Sequence, residues 1–279
     1  MDHQSTLAKV TEWATTNDNV RAVVLTGSGA RGDGEMDDLS DLDIELYVVS
    51  PLDLLQSSAW YEAFGDVLVV EKMPNPEWFP TRLVNYADGK VDFMIAPTSA
   101  LATVEYVRPF RVLLDKDRIS DHLQLSPPHV KPSPTQEQFI ECVNWFYAEA
   151  FMCAKCLVRR ELWMAKFREC SFMTEMLRMI EWDHRYRYGP NVDTWYLGTH
   201  WREWMDAELR RDLATCWGTF EERDMSLSLS HAVLLFSRVA QRTAAPLLLE
   251  AFDYARLNSR VEDILAQSPY DSTPKPSEQ

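Results

Sequence analysis

The chain has little that would place it in a membrane, outside the cell or on nucleic acid. No apolar run approaches the roughly 20 residues that span a bilayer. The amino terminus, Met1-Asp2-His3-Gln4, lacks the basic and then apolar pattern of a secretory leader. Both absences predict a cytoplasmic protein without a membrane partner. Cysteine is sparse and odd in number: Cys142, Cys153, Cys156, Cys170 and Cys216, all in the second half, do not make a disulfide framework. Cys153 and Cys156 have CxxC spacing, but no second CxxC or His pair completes a zinc tetrahedron and no strand-to-helix turn precedes them, so they read as ordinary helix cysteines. Positive charge is scarce as well. With 28 Lys and Arg against 43 Asp and Glu the net charge is −15, which argues against general nucleic-acid binding by phosphate neutralisation. An acidic field keeps a protein soluble and draws in cationic small molecules. No internal repeat is present.

What is present suffices for a sizeable core. At 279 residues, 46% apolar and 25% charged, the chain has the composition of an ordinary soluble protein of one large or two ordinary domains. Leu7, Val10, Trp13 and Ala14 lie on one side of a first helix, and Val20 to Leu25 is an apolar, β-branched strand leading into Gly27-Ser28. Gly29 to Ser40 reads as a loop. Leu42 to Val49 alternates before becoming fully apolar, as a partly buried strand does, and Pro51 opens a short helix. Val67 to Glu71 is a further strand, followed by a loop with Pro74, Pro76 and Pro80. Asp88-Gly89 is a hairpin turn signal between Leu83–Tyr86 and Val91–Ile95, and Arg111 to Leu114 is a last short strand.

Composition changes at the Pro-rich connector Ser126 to Pro132. Ser133, Pro134 and Gln136 then read as N-cap, first helical position and capping-box residue of a long helix. Helical patterns dominate to about Leu265, with Gly189-Pro190 as a stop and Leu229 to Leu249 as another long helix. The expected organisation is therefore a domain over residues 1–130, a helical domain over 131–266 and an unstructured polar tail over 267–279.

The chemistry-bearing feature is Asp41-Leu42-Asp43-Ile44, preceded by the Gly27-Ser28 turn. In a strand, residues i and i+2 share a face, so Asp41 and Asp43 point the same way. Like charges that close are costly without a cation, and Mg2+ takes one or two carboxylates together with nucleotide phosphate oxygens. Gly27 lets the backbone approach phosphates, the Ser28 hydroxyl can donate to them, and no Walker-type lysine follows the turn. Asp92, on a strand expected beside the first pair, is a third carboxylate suited to a second metal or to accepting the proton of an attacking hydroxyl. A solvated strand face is the competing reading of Asp41 and Asp43; the strand, turn, spacing and third carboxylate together weigh against it. Glu45 extends the same alternating face; it is either a participant in the chemistry or, the stronger reading, solvated.

These residues resemble the signature of the polymerase-β-like nucleotidyltransferase superfamily. Within it the chain is similar, over roughly residues 5 to 260, to the bacterial aminoglycoside 6-adenylyltransferases, the streptomycin adenylyltransferase family. The similar pieces include Arg21 to Ser28, Asp41 to Ile44, Trp60 to Gly65, Asp88 to Asp92, Leu113 to Asp117, Lys131 to Ser133, Lys155 to Glu161 and Leu177 to Trp182. The resemblance implies an α+β protein: a polymerase-β-like mixed sheet with flanking helices, then an all-α bundle. It implies transfer of AMP from ATP to a hydroxyl of streptomycin or a related cationic aminoglycoside, releasing pyrophosphate. It assigns Asp41 and Asp43 to Mg2+, Asp92 to the third metal-site carboxylate and base, and Lys155 to a phosphate contact from the helical half. The family's Arg directly after the Gly-Ser turn is displaced here by Gly29-Ala30 to Arg31, which becomes the candidate phosphate contact. Its Gly-Lys pair stands here as Gly198-Thr199, with Arg202 further on. A monomer or small homo-oligomer is expected.

Acidic residues of the helical half, Glu141, Glu149, Glu169, Glu175, Glu181 and Asp183, read mostly as solvated faces, any of which can meet a polycationic acceptor. Trp145 and Tyr147 read as core rather than as stacking platforms. Competing readings are a different acceptor, a lincosamide or protein hydroxyl, and a non-catalytic nucleotide-binding or antitoxin-like protein. The intact Asp41, Asp43 and Asp92 weigh against the last.

Overall fold

The computed structural model describes residues 2–32, 36–75, 78–128 and 130–267. Pro76, His129 and the tail 268–279 lie outside them. The fold is α+β, in two compact units, residues 1–129 and 130–279.

The first unit opens with α1 (His3–Thr16), whose N-cap Asp2 accepts from the amide of Ser5. Then come β1 (Val20–Thr26), the one-turn α2 (Gly27–Arg31), β2 (Leu42–Val48), the short helices α3 (Pro51–Leu55) and α4 (Ala59–Glu62), β3 (Val67–Met73), β4 (Thr81–Tyr86), β5 (Gly89–Pro97) and β6 (Arg111–Asp115). The start of the segment expected to be a loop is thus helical: Gly27 at φ +62° turns the chain out of β1, and Gly32 at φ +67° ends the turn. The sheet runs in the order β3-β4-β5-β2-β1-β6. Only β2 and β5 are parallel among these strands; every other pairing is antiparallel.

Alternation explains the two faces. Leu42, Ile44, Leu46 and Val48 of β2 join Val91, Phe93 and Ile95 of β5 in the main core, against Val10 and Ala14 of α1 and the ring cluster of Trp60, Phe64 and Phe93. Odd positions of β2 point the other way. There a smaller core of Ala22, Val24, Tyr47, Met94, Ala96, Leu101 and Tyr106 covers the far end of the face, while Asp43 at the other end is half-buried and outside that core.

The second unit holds α5 (Gln136–Val158), α6 (Leu162–Tyr188), α7 (Trp201–Trp204), α8 (Ala207–Ala214), α9 (Glu222–Leu247) and α10 (Tyr254–Leu265), with no strand among the described residues. Its core is built around Phe146, stacked on Phe236 with ring centroids 3.7 Å apart and edge-on to Phe172. Cys142, Cys153 and Cys156 are buried, free thiols in α5. The α5 cap departs from the sequence reading. Thr135 is the N-cap and exchanges a reciprocal capping box with Gln138, while Gln136 turns away to accept from the amide of Glu250 at 2.7 Å. The long helix expected over Leu229 to Leu249 begins earlier, at Glu222, because Glu221 caps the amides of Arg223 and Asp224. Trp145 also departs: it is 55% exposed, with its indole donating to Ser171, whereas Tyr147 is buried as expected. No helix among the described residues is long and apolar enough to cross a membrane.

Candidate active site

The parallel pairing of β2 and β5 sets Asp43 directly beside Asp92, and the antiparallel pairing of β1 and β2 sets Asp43 beside Thr26, the last residue before Gly27. Asp41 immediately precedes β2. One end of this face of the sheet therefore gathers the Gly27-Ser28 turn, Asp41, Asp43 and Asp92, all in the first unit. Arg31 is half-buried at the end of α2. Lys155 lies in the last turn of α5, in the second unit; it is half-buried, and no acidic side chain among the described residues pairs with it.

Gly27 fits Asp43 tightly. A Cβ at position 27 would stand 1.9 Å from Asp43 Oδ2 and 2.8 Å from its Cγ, and the positive φ disfavours a side chain independently. Only glycine lets the turn lie against that carboxylate.

Lys90 is a fourth member of the site that sequence reasoning passed over. Its ammonium donates to Asp41 Oδ2 at 2.7 Å and to Asp92 Oδ2 at 3.0 Å. The available signal was strand periodicity, since Lys90 stands two residues before Asp92 on the same face of β5. Burial works against its charge, but the hydrogen bonds to the two carboxylates prevail and raise its pKa. Asp43 has no such partner. Burial first, then the charges of Asp92 and Asp41, push its carboxyl up to about 6. Asp92 is also raised, chiefly by burial against the opposing pull of Lys90. Its Oδ1 is buried and, although 2.9 Å from the Lys90 nitrogen, accepts no hydrogen bond in acceptable geometry.

The donors suit a divalent cation in kind. Three carboxylates face one ammonium, burial and the two neighbouring carboxylates raise the pKa of Asp43, and one buried oxygen is unsatisfied. Hard oxygen donors short of positive charge are what Mg2+ takes. With Lys90 between Asp41 and Asp92, no three His, Cys, Asp or Glu side chains among the described residues surround one point as they stand.

Glu45 departs from the solvated reading. It is half-buried and accepts from the hydroxyls of Tyr47, at 2.9 Å, and Tyr106. Of Glu141, Glu149, Glu169, Glu175, Glu181 and Asp183 in the helical half, Glu141 lies on a solvated face as expected, while the other five are at least half-buried. Each pairs with a cation: Glu141 and Glu175 with Arg178, Glu149 with Arg168, Glu169 with Lys166, Glu181 with Arg185, and Asp183 with Arg187 and Arg242. Glu169 and Asp183 are almost fully buried; the Glu141–Arg178, Glu149–Arg168 and Asp183–Arg242 pairs join different helices, and the others lie within α6.

Comparison with known proteins supplies the class. The family model described as streptomycin adenylyltransferase matches residues 1–265. The chain belongs to that family and is accordingly a nucleotidyltransferase. An aminoglycoside 6-adenylyltransferase of Campylobacter jejuni is 25% identical over 251 residues, covering 85% of this chain and 86% of the relative. One of Bacillus subtilis is 24% identical over 249 residues, covering 78% and 87%. A solved structure of an aminoglycoside 6-adenyltransferase from Bacillus subtilis covers 95% of this chain and 99% of its own, with 18% identity and a TM-score of 0.46.

Proposed function

We propose that this protein transfers AMP from Mg-ATP to a hydroxyl of streptomycin or a related aminoglycoside, releasing pyrophosphate and inactivating the drug. The observation that carries the reading is the meeting of Asp41, Asp43 and Asp92 under the Gly27 turn, short of positive charge. Family membership supports the adenylyl donor, and the activity for which the relatives are named supports the acceptor class.

In this reading Asp41 and Asp43 hold the metal, with Asp92 as the third carboxylate; when bound, Mg2+ offsets charge on the triphosphate and on the departing pyrophosphate. Gly27 and Ser28 lie along the phosphates: the turn's first amides have no partner within so short a helix, and glycine permits close approach. Arg31 and Lys155 are further phosphate contacts, Lys155 being a cation with no acidic partner among the described residues. Asp92 takes the proton of the attacking hydroxyl. Its unsatisfied Oδ1 and burial-raised pKa suit a general base.

The test is pyrophosphate release and product mass with ATP, Mg2+ and a panel of aminoglycosides and lincosamides. Streptomycin or a close relative is expected to gain one AMP. Asp41→Asn is expected to lower turnover by at least about 100-fold with its melting temperature kept, as for loss of a transition-state electrostatic contact. Turnover near that of the unaltered protein in this variant, or AMP transfer to lincosamides alone, would overturn the reading.

A further inference from the structure

Glu45 is a charged group that the chemistry above leaves idle. It stands one pleat along β2 from Asp43, on the same face of the sheet. Tyr47 and Tyr106 both donate to its Oε2, and their hydroxyls lie 3.0 Å from each other. Both tyrosines are buried, and Tyr106 stacks on Phe110 with ring centroids 4.3 Å apart. The carboxylate is thus locked in place by neutral groups on one of its two oxygens.

That arrangement is costly as architecture. A half-buried carboxylate with no compensating cation is unfavourable, and among the described residues no lysine or arginine pairs with Glu45. It also adds to the negative field at Asp43. A glutamine would fill the same space and accept the same hydroxyl bonds without charge. In the helical half Glu149, Glu169, Glu175, Glu181 and Asp183, all at least half-buried, each have an arginine or lysine. Glu45 has none among the described residues, and it lies one pleat from Asp43 on the same face.

We infer that Glu45 is an acceptor-binding residue, whose carboxylate, held by Tyr47 and Tyr106 next to Asp43, receives a cationic nitrogen of the acceptor, an ammonium or guanidinium. The inference rests on the aminoglycoside reading above. A charge-assisted hydrogen bond to a prepositioned carboxylate supplies affinity and fixes the orientation of the acceptor against the carboxylate site.

The test uses the full chain with ATP, Mg2+ and streptomycin. Glu45→Gln is expected to raise the acceptor KM about 10- to 100-fold, in the range for losing a hydrogen bond to a charged partner, with kcat and the KM for ATP within about twofold. Titration calorimetry of streptomycin into the nucleotide-free protein should show the same loss of affinity. Tyr106→Phe, which keeps the charge but loosens its hold, is expected to raise the acceptor KM by a smaller factor. A Glu45→Gln variant with reduced kcat and an unchanged acceptor KM would overturn the assignment. So would a Tyr106→Phe effect larger than that of Glu45→Gln. Failure of the unaltered protein to adenylylate any aminoglycoside would instead overturn the acceptor class, so the two failures are separable.

Discussion

Gly27→Ala isolates the fit between turn and carboxylate. Two penalties follow from the structure. The backbone at φ +62° is left-handed, which costs an L-residue about 1–2 kcal/mol. The new Cβ would stand 1.9 Å from Asp43 Oδ2. Ordinary contact begins near 3 Å, so the carboxylate must retreat by roughly 1 Å or rotate away, and a misplacement of that size costs about 100-fold in turnover. Gly32 provides the control. It has φ +67°, but nothing lies within 4 Å of a Cβ there. Both variants are expected to lose a few degrees in melting temperature, on the scale of about 2–4 °C per kcal/mol for a chain of this size. Only Gly27→Ala should lose turnover, measured as pyrophosphate release at saturating ATP. Equal kcat in the two variants would refute the claim that Gly27 is there to admit Asp43.

The remaining expectations concern charge. Lys90→Met removes the cation bridging Asp41 and Asp92, so Mn2+ followed by electron paramagnetic resonance should bind the nucleotide-free protein at least about 10-fold more tightly, given the size of charge interactions at this range; weaker binding would contradict the bridge. Asp43 has a folded pKa of about 6 against about 3.9 unfolded, so the folded state holds the extra proton between those values and the metal-free protein loses stability as pH rises through them. Asp43→Asn should accordingly melt higher than the unaltered protein in EDTA above pH 6 and alike below pH 4, and a difference independent of pH would exclude that cause. Asp183→Ala leaves Arg242 without its carboxylate and Arg187 with Asp206 as its remaining carboxylate, and is expected to cost about 1–3 kcal/mol in urea unfolding, on the scale of lost hydrogen bonds to a charged group; no measurable change would mean the buried carboxylate contributes little.

Much of the site was legible because strand alternation is a local property. The period of two in Leu42 to Val48 places Asp43 and Glu45 on one face before any coordinates are known, and the glycine turn announces a close approach. What lay across strands was not legible. Nothing in the sequence near Lys90 says that Asp41, nearly fifty residues away, will share its ammonium; the parallel register of β2 and β5 decides that. Two acidic residues of the helical half misled for the same reason: Asp183 of α6 meets Arg242 of α9, and Glu149 of α5 meets Arg168 of α6. The α5 cap shows a finer limit. Ser133-x-x-Gln136 and Thr135-x-x-Gln138 are equivalent as local patterns, and the distant backbone of Glu250 selects between them.

The single parallel pairing in the sheet also makes the site a checkpoint on folding. Asp92 alternates with Val91 and Phe93, so a slip of one residue between β5 and β2 would swing Asp92 into the apolar core and bring an apolar neighbour out beside Asp43. The connection between the two strands passes through α3, α4, β3 and β4, so the pairing is a long-range one that comes with the entropic expense of closing that loop. A chain that assembles its carboxylates has therefore brought this register to completion. The candidate site is thus tied to a contact between distant parts of the chain, and a slipped sheet would carry no trio of carboxylates.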